Sequence, residues 1–173
     1  MWPGHSLTRS RDGLRRGSTS REPRKPAVVR FSFDADVLGL AHVVAGLRSD
    51  ATYPGGPGVV IKRRERSACP IADPATKDDL WIPRVAYLGW LIITRDSRIR
   101  QHRAEIEAVK ASNARMVALS GDEARGTWQQ LEVLMNRWRG SEDLAGQSGP
   151  FVNPRRTRRS RPSASLDPDA AVT

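Results

Sequence analysis

The chain has 173 residues, one cysteine and a formal charge of +10, with 29 Lys and Arg against 19 Asp and Glu. Its length suits one ordinary domain, and the lone Cys69 excludes an internal disulfide or a cysteine-rich zinc site, as a reducing compartment would favour. No apolar run approaches the ~20 residues of a membrane span and no signal-peptide core opens the chain, so the expectation is a cytoplasmic protein with no membrane partner.

The charge is unevenly placed. Residues 1–30 hold eight basic and two acidic residues, residues 150–173 hold five and two, and the middle is close to neutral. Residues 1–27 are rich in Arg, Ser, Gly and Pro without periodicity, a composition that predicts a disordered basic tail. Two readings compete for this tail, a basic arm that touches nucleic-acid phosphates and an upstream extension; the abrupt start of pattern at Val28 favours the second, with native translation starting near Val29. Residues 153–173 read as a second disordered tail, which leaves 28–152 as the folded domain.

Val28 to Phe33 (VVRFSF) predicts a strand, and Val37, Leu40, Val44 and Leu47 then recur at helical spacing. Residues 50–75, with Pro54 to Gly58 and the charged run Lys62 to Arg66, read as mostly loop around a short strand at Val59 to Ile61. The glycines there lack the Gly-Lys-Ser/Thr ending of a phosphate loop. Thr76 with Asp79 resembles a capping box, and the helix it opens ends at Gly89; Pro83 argues for a start near Asp79 or Leu80. Trp90 to Thr94 predicts a second strand, His102 to Ala111 a helix, and Arg115 to Leu119 a third strand. Ser120 with Glu123 caps a last helix whose apolar face carries Trp128, Leu131, Leu134, Met135 and Trp138. Strands alternating with helices imply an α/β domain with a central, mostly parallel sheet of three to five strands flanked by helices.

In such folds chemistry collects where strands end. Asp34 and Asp36 follow the first strand, Asp96 follows the second, and Asp78 and Asp79 open the helix between them. Each acid alone is most simply a helix cap or a turn residue. Together they form an oxygen-only set suited to Mg²⁺ or Mn²⁺, which bind phosphate oxygens in their open positions. Arg95, Arg98, Arg100 and Arg103 stand just past the site as candidate phosphate contacts, with a solvated helix face as the plainer reading.

The sequence FDADVLGLA (33–41), followed by KDDLWIP (77–83) and WLIITRDSRI (90–99), resembles the PIN-like nuclease domains, especially the branch of VapC-type toxins. The resemblance implies a three-layer PIN-like fold and a Mg²⁺- or Mn²⁺-dependent ribonuclease, often the toxin of a toxin–antitoxin pair. It implies an RNA substrate, an antitoxin partner and a homodimer as the expected associations. By position, Asp34, Asp36, Asp78 or Asp79, and Asp96 would hold metal. Asp34, Asp79, Asp96 and Thr94 would form the catalytic set, with Ser97 orienting and Glu105 a weaker ligand. Two other readings stand beside this one. A non-catalytic PIN-like module would bind nucleic acid or a partner. A haloacid-dehalogenase-like phosphatase would use Asp34-Ala35-Asp36, although Gly39-Leu40 replaces that family's Gly-Thr turn. The tryptophans other than Trp2 read as core, His42 as solvated, and His102 with Glu105 as too few ligands for zinc.

Overall fold

The computed structural model describes residues 24–95, 103–119 and 126–155. Five strands form the main sheet: β2 (Phe31–Phe33), β3 (Ala51–Thr52), β6 (Leu91–Thr94), β7 (Arg115–Leu119) and β8 (Phe151–Arg155). Their spatial order is β3-β2-β6-β7-β8 and every neighbouring pair is parallel. A smaller sheet, in the order β1-β5-β4, joins β1 (Lys25–Pro26), β4 (Val59–Ile61) and β5 (Arg64–Arg66).

The central strands of the parallel sheet are buried on both faces. FSF and LIIT are buried throughout, so each must be covered on two sides by crossover helices. Alternation divides the strands. Phe31, Phe33, Leu91, Ile93, Val117 and Leu119 pack in one cluster with residues of helices α1 (Leu38–Leu47), α4 (Thr127–Asn136) and α5 (Trp138–Ala145). Ile92 and Met116 pack in the other with Trp81, Ile82 and Val85 of α2 (Asp78–Tyr87) and Val109 of α3 (Arg103–Ala111). The three layers agree with the predicted fold class.

Several elements differ from the sequence expectation for identifiable reasons. The first helix is preceded by a 3₁₀ turn, Ala35–Val37, so α1 itself begins at Leu38. Helix α2 begins at Asp78 and continues through Pro83. Proline removes one backbone donor, and burial of Trp81, Ile82 and Val85, worth about 1.5–3 kcal/mol per large side chain, outweighs that loss. Gly89 stops α2 as expected, at φ +71°, with Trp90 N–H donating back to Val85 O at 3.3 Å.

Residues 50–75 are more ordered than a loop, contributing β3 to the main sheet and a β4–β5 hairpin beside it. Strand β8 continues to Arg155, so the folded region extends past 152, and β1 lies within the segment read as the N-terminal tail. The last helix is two. Its buried stripe in α4 is Gln130, Val133 and Leu134, whereas Trp128 is 75% and Met135 48% exposed. Trp138 opens α5 instead and packs on Phe31 with ring centroids 4.8 Å apart. The expected Ser120–Glu123 cap lies outside the described residues, as do most of both tails. Among the described residues, no helix is long and apolar enough to cross a membrane.

Candidate metal centre

The carboxyl ends of β2 and β6 lie side by side because Phe33 pairs with Ile93, and Asp34 N–H extends the ladder by donating to Ile93 O at 2.8 Å. Immediately beyond, the chain must leave the sheet. Asp34 begins that departure as an N-cap: its backbone is extended (φ −73°, ψ 161°) and its Oδ1 accepts Ala35 N–H at 2.6 Å. The 3₁₀ turn then carries Asp36 across to β6.

There Asp36 Oδ2 accepts the Thr94 hydroxyl at 3.2 Å and the Arg95 N–H at 2.9 Å. Thr94 is fully buried, and its hydroxyl also lies within hydrogen-bonding reach of the Asp34 carboxylate, so its one proton serves either acid. One strand-end threonine thus holds both acids of the Asp-x-Asp turn.

The third carboxylate comes from the other side of the sheet. Asp78, the first residue of α2, accepts the indole N–H of buried Trp81 at 2.8 Å, three positions on and therefore on the same helix face. Asp79 is turned about 100° round the helix and is exposed.

The electrostatic consequence falls on Asp34. Burial chiefly, then the charge of Asp36, raises its pKa from 3.8 to about 7; the Ala35 and Thr94 hydrogen bonds oppose this, and the Asp78 charge adds to it. A carboxyl that keeps its proton to neutrality beside two other carboxylates marks an environment that lacks positive charge.

Of the acids singled out from the sequence, the structure joins Asp34 and Asp36 through Thr94, sets Asp78 within electrostatic reach of Asp34, and leaves Asp79 in solvent. Arg95 is exposed at the same edge. Asp96, Ser97, Arg98 and Arg100 lie outside the described residues, as do the side chains of Arg103 and Glu105. Among the described residues no three of His, Cys, Asp and Glu converge as a ready-made metal cage. The donor chemistry nevertheless fits Mg²⁺ or Mn²⁺, since Mg²⁺ commonly keeps several waters and takes only one or two carboxylates from the protein. Two contributors escaped the sequence reading: Trp81, whose Asp-x-x-Trp spacing within one helical turn was a usable signal, and the Arg95 backbone amide, for which no residue-type signal exists. Elsewhere, Cys69 is buried, which pushes its thiol pKa up, and His42 is exposed with its ring edge against Tyr53.

One family profile, described as a PIN like domain, matches residues 30–121, just over half of the chain and the whole of the β2-to-β7 segment. Neither the curated proteins nor the solved structures yield a match.

Proposed function

The chain belongs to the PIN-like domain family, and from that premise we propose that it is a metal-dependent endoribonuclease hydrolysing RNA phosphodiester bonds at the Asp34–Asp36 turn. The observation that carries this reading is the pairing of Asp34 and Asp36 at buried Thr94 where β2 and β6 end, a crowding of carboxylates that, with burial, raises the Asp34 pKa to about 7. A site that crowds negative charge in this way has little use for an anionic RNA unless a cation intervenes. The residues suited to hold Mg²⁺ or Mn²⁺ are Asp34 and Asp36, with Asp78 from α2 and, by sequence position alone, Asp96. When bound, such a cation polarises a phosphate oxygen and acidifies a water for in-line attack.

The chain's own groups do the remaining work. Asp34, whose carboxyl resists ionisation in the metal-free chain, is the acid that a cation would hold in its ionised form. Thr94 and the Arg95 amide fix the orientation of Asp36, and Trp81 fixes that of Asp78. The Arg95 guanidinium, together with Arg98, Arg100 and Arg103, is suited to the flanking phosphates.

The toxin role, an antitoxin partner, a homodimer and a cytoplasmic setting belong to the same proposal. The exposure of Asp79, which leaves the acidic edge with fewer carboxylates than the sequence offers, favours a second reading: a PIN-like domain that binds nucleic acid or a partner without cutting. Incubating an RNA pool with the full chain, with and without Mn²⁺, against Asp34→Asn and Asp96→Asn separates the two. Metal-dependent cleavage lost in both variants supports the nuclease, and equal cleavage by all three proteins sinks the site.

A further inference from the structure

The opposite edge of the main sheet, where strands begin, carries a groove of about 410 Å³. Its lining includes Arg30 and Arg48 from the segments leading into β2 and β3, and Lys62 and Arg64 from the β4–β5 hairpin. Its one carboxylate, Asp50, is already engaged: Arg48 donates to both of its oxygens, at 2.9 and 2.8 Å, and also to Glu142 at 3.4 Å. Arg30 spends one N–H on the Glu142 carbonyl and lies over the Phe31 ring. Lys62 and Arg64 are exposed, with no carboxylate partner among the described residues. Glu65, the acid of the hairpin, faces a separate depression with Arg24 and Ser67.

The hairpin's turn supplies an independent observation. Lys62 (φ 46°) and Arg63 (φ 66°) occupy the two central positions of a two-residue connection, both left-handed. That geometry favours Asn-Gly, because a side chain at positive φ is strained. Local stability is therefore sacrificed to put two long cations at the hairpin tip. The tip is also anchored. Arg63 O accepts Lys25 N–H at 3.1 Å, and buried Arg66 donates to the carbonyls of Ala45 at 3.1 Å, Arg48 at 3.3 Å and Ala51. Strained backbone held rigidly by its surroundings marks a position with a use beyond folding.

We propose that this groove binds the sugar–phosphate backbone of RNA at a distance from the acidic edge, using Lys62 and Arg64 as phosphate contacts. The identity of the polymer rests on the ribonuclease reading. The groove lies one strand length from Asp34, since β2 spans three residues, about 10 Å at ~3.3 Å each. A single strand lying along the domain can therefore meet the basic edge with one segment and the acids with another. Exposed Val28 and Leu47 flank the groove and would equally suit an acidic peptide, which makes that ligand the competing outcome.

The test is anisotropy of a labelled single-stranded oligoribonucleotide with the full chain in EDTA, where cleavage is silent, comparing wild type with K62N/R63G and with R64A. The double variant places Asn-Gly in the turn and should melt no lower than wild type while binding RNA more weakly. The slope of log K against log salt should fall by about 0.7 for each phosphate that the variant no longer neutralises. Metal-dependent cleavage of a dinucleotide, too short to reach the groove, should be unchanged. Unaltered affinity and salt slope in both variants would overturn the proposal, as would polyglutamate binding the groove more tightly than RNA. If the wild type binds RNA through these residues but never cleaves it, the nuclease reading fails and the groove stands.

Discussion

The two edges of the main sheet are built from the same strands and carry opposite chemistry. At the strand ends, Asp34 and Asp36 meet at buried Thr94, and the charge of Asp78 reaches Asp34 from the start of α2. At the strand starts, Arg30, Arg48, Lys62 and Arg64 surround one carboxylate that is already engaged. The difference lies in how each edge treats solvent. The cations at the hairpin keep their hydration, and their cost is confined to two strained backbone positions. The acids are partly withdrawn from water, and the cost is an Asp34 carboxyl that resists ionisation until about pH 7. A surface that exposes its charges can bind a polyanion without further help, whereas a pocket that crowds like charges waits for an ion of the opposite sign.

The largest expected effect comes from removing that crowding. Asp34→Asn should lower metal-dependent RNA cleavage by roughly 100-fold or more, the scale of losing a general base or ligand, when single-turnover rates are compared. The same change should stabilise the metal-free protein at every pH above the ordinary carboxyl range. The native pKa, about 7, lies above the ordinary 3.8, so the native state holds the proton more tightly. This group's contribution to stability is thus fully present below pH 3.8 and is lost as pH rises through 7. Asp34→Asn should therefore flatten the decline in melting temperature between pH 4 and 8, by the equivalent of about 3 kcal/mol after screening by solvent. Mg²⁺ or Mn²⁺ should raise the wild-type melting temperature at pH 8, and chelation should reverse it. The same metal-induced rise in the Asp34→Asn protein would place the cation elsewhere.

The next effect lies at the basic edge. The Arg66 side chain is 3% exposed and donates to the last carbonyls of α1, supplying the cation that α1 lacks in its own final turn. Arg66→Met keeps the length but leaves those buried acceptors unpaired, which should cost about 2–3 kcal/mol in urea unfolding. Because Arg66 holds the hairpin against α1, RNA affinity should fall with it while dinucleotide cleavage persists. Loss of cleavage instead would mean that the two edges are not separable.

A smaller effect is expected from Thr94→Val, which is nearly isosteric and removes the hydroxyl that Asp36 and Asp34 share. A net cost of about 1–2 kcal/mol is expected, with a drop in kcat larger than any change in KM if the hydroxyl only orients the acids. A KM effect alone would make Thr94 a substrate contact.

The acidic edge was legible in the sequence for a physical reason. FSF and LIIT contain too little polarity to be anything but central strands, and the residues that follow a central parallel strand must emerge at the ligand-binding edge. The basic edge was not, because Lys62 to Arg66 reads as a solvated run until backbone pairing shows one cation buried and two at a strained tip. Strand β3 has two residues and β8 includes Pro154, so neither offers a periodicity to find; as outermost strands they need little. Trp128 was misplaced because its spacing to Leu131 and Leu134 matches a helical stripe equally well whether that stripe is buried or is the neighbour of the buried one. The break at Arg137 decides it, by giving Trp138 to a second helix.

The smallest effect tests the least visible part of the acidic edge. Asp78 and Asp79 are adjacent and chemically alike, and what distinguishes them is the Trp81 indole N–H held 2.8 Å from Asp78. Trp81→Phe preserves most of the buried area and deletes only that donor, so stability should change by about 1 kcal/mol. Freed from the indole, the Asp78 carboxylate can swing toward water and away from Asp34, and its contribution to the raised Asp34 pKa should shrink. The pH at which Asp34 titrates in the metal-free protein should then move down, by less than Asp36→Asn moves it, because Asp36 is the larger of the two charge effects on Asp34. A shift of equal size from Asp79→Asn would show that the exposed carboxylate, rather than the one tethered to Trp81, faces the site.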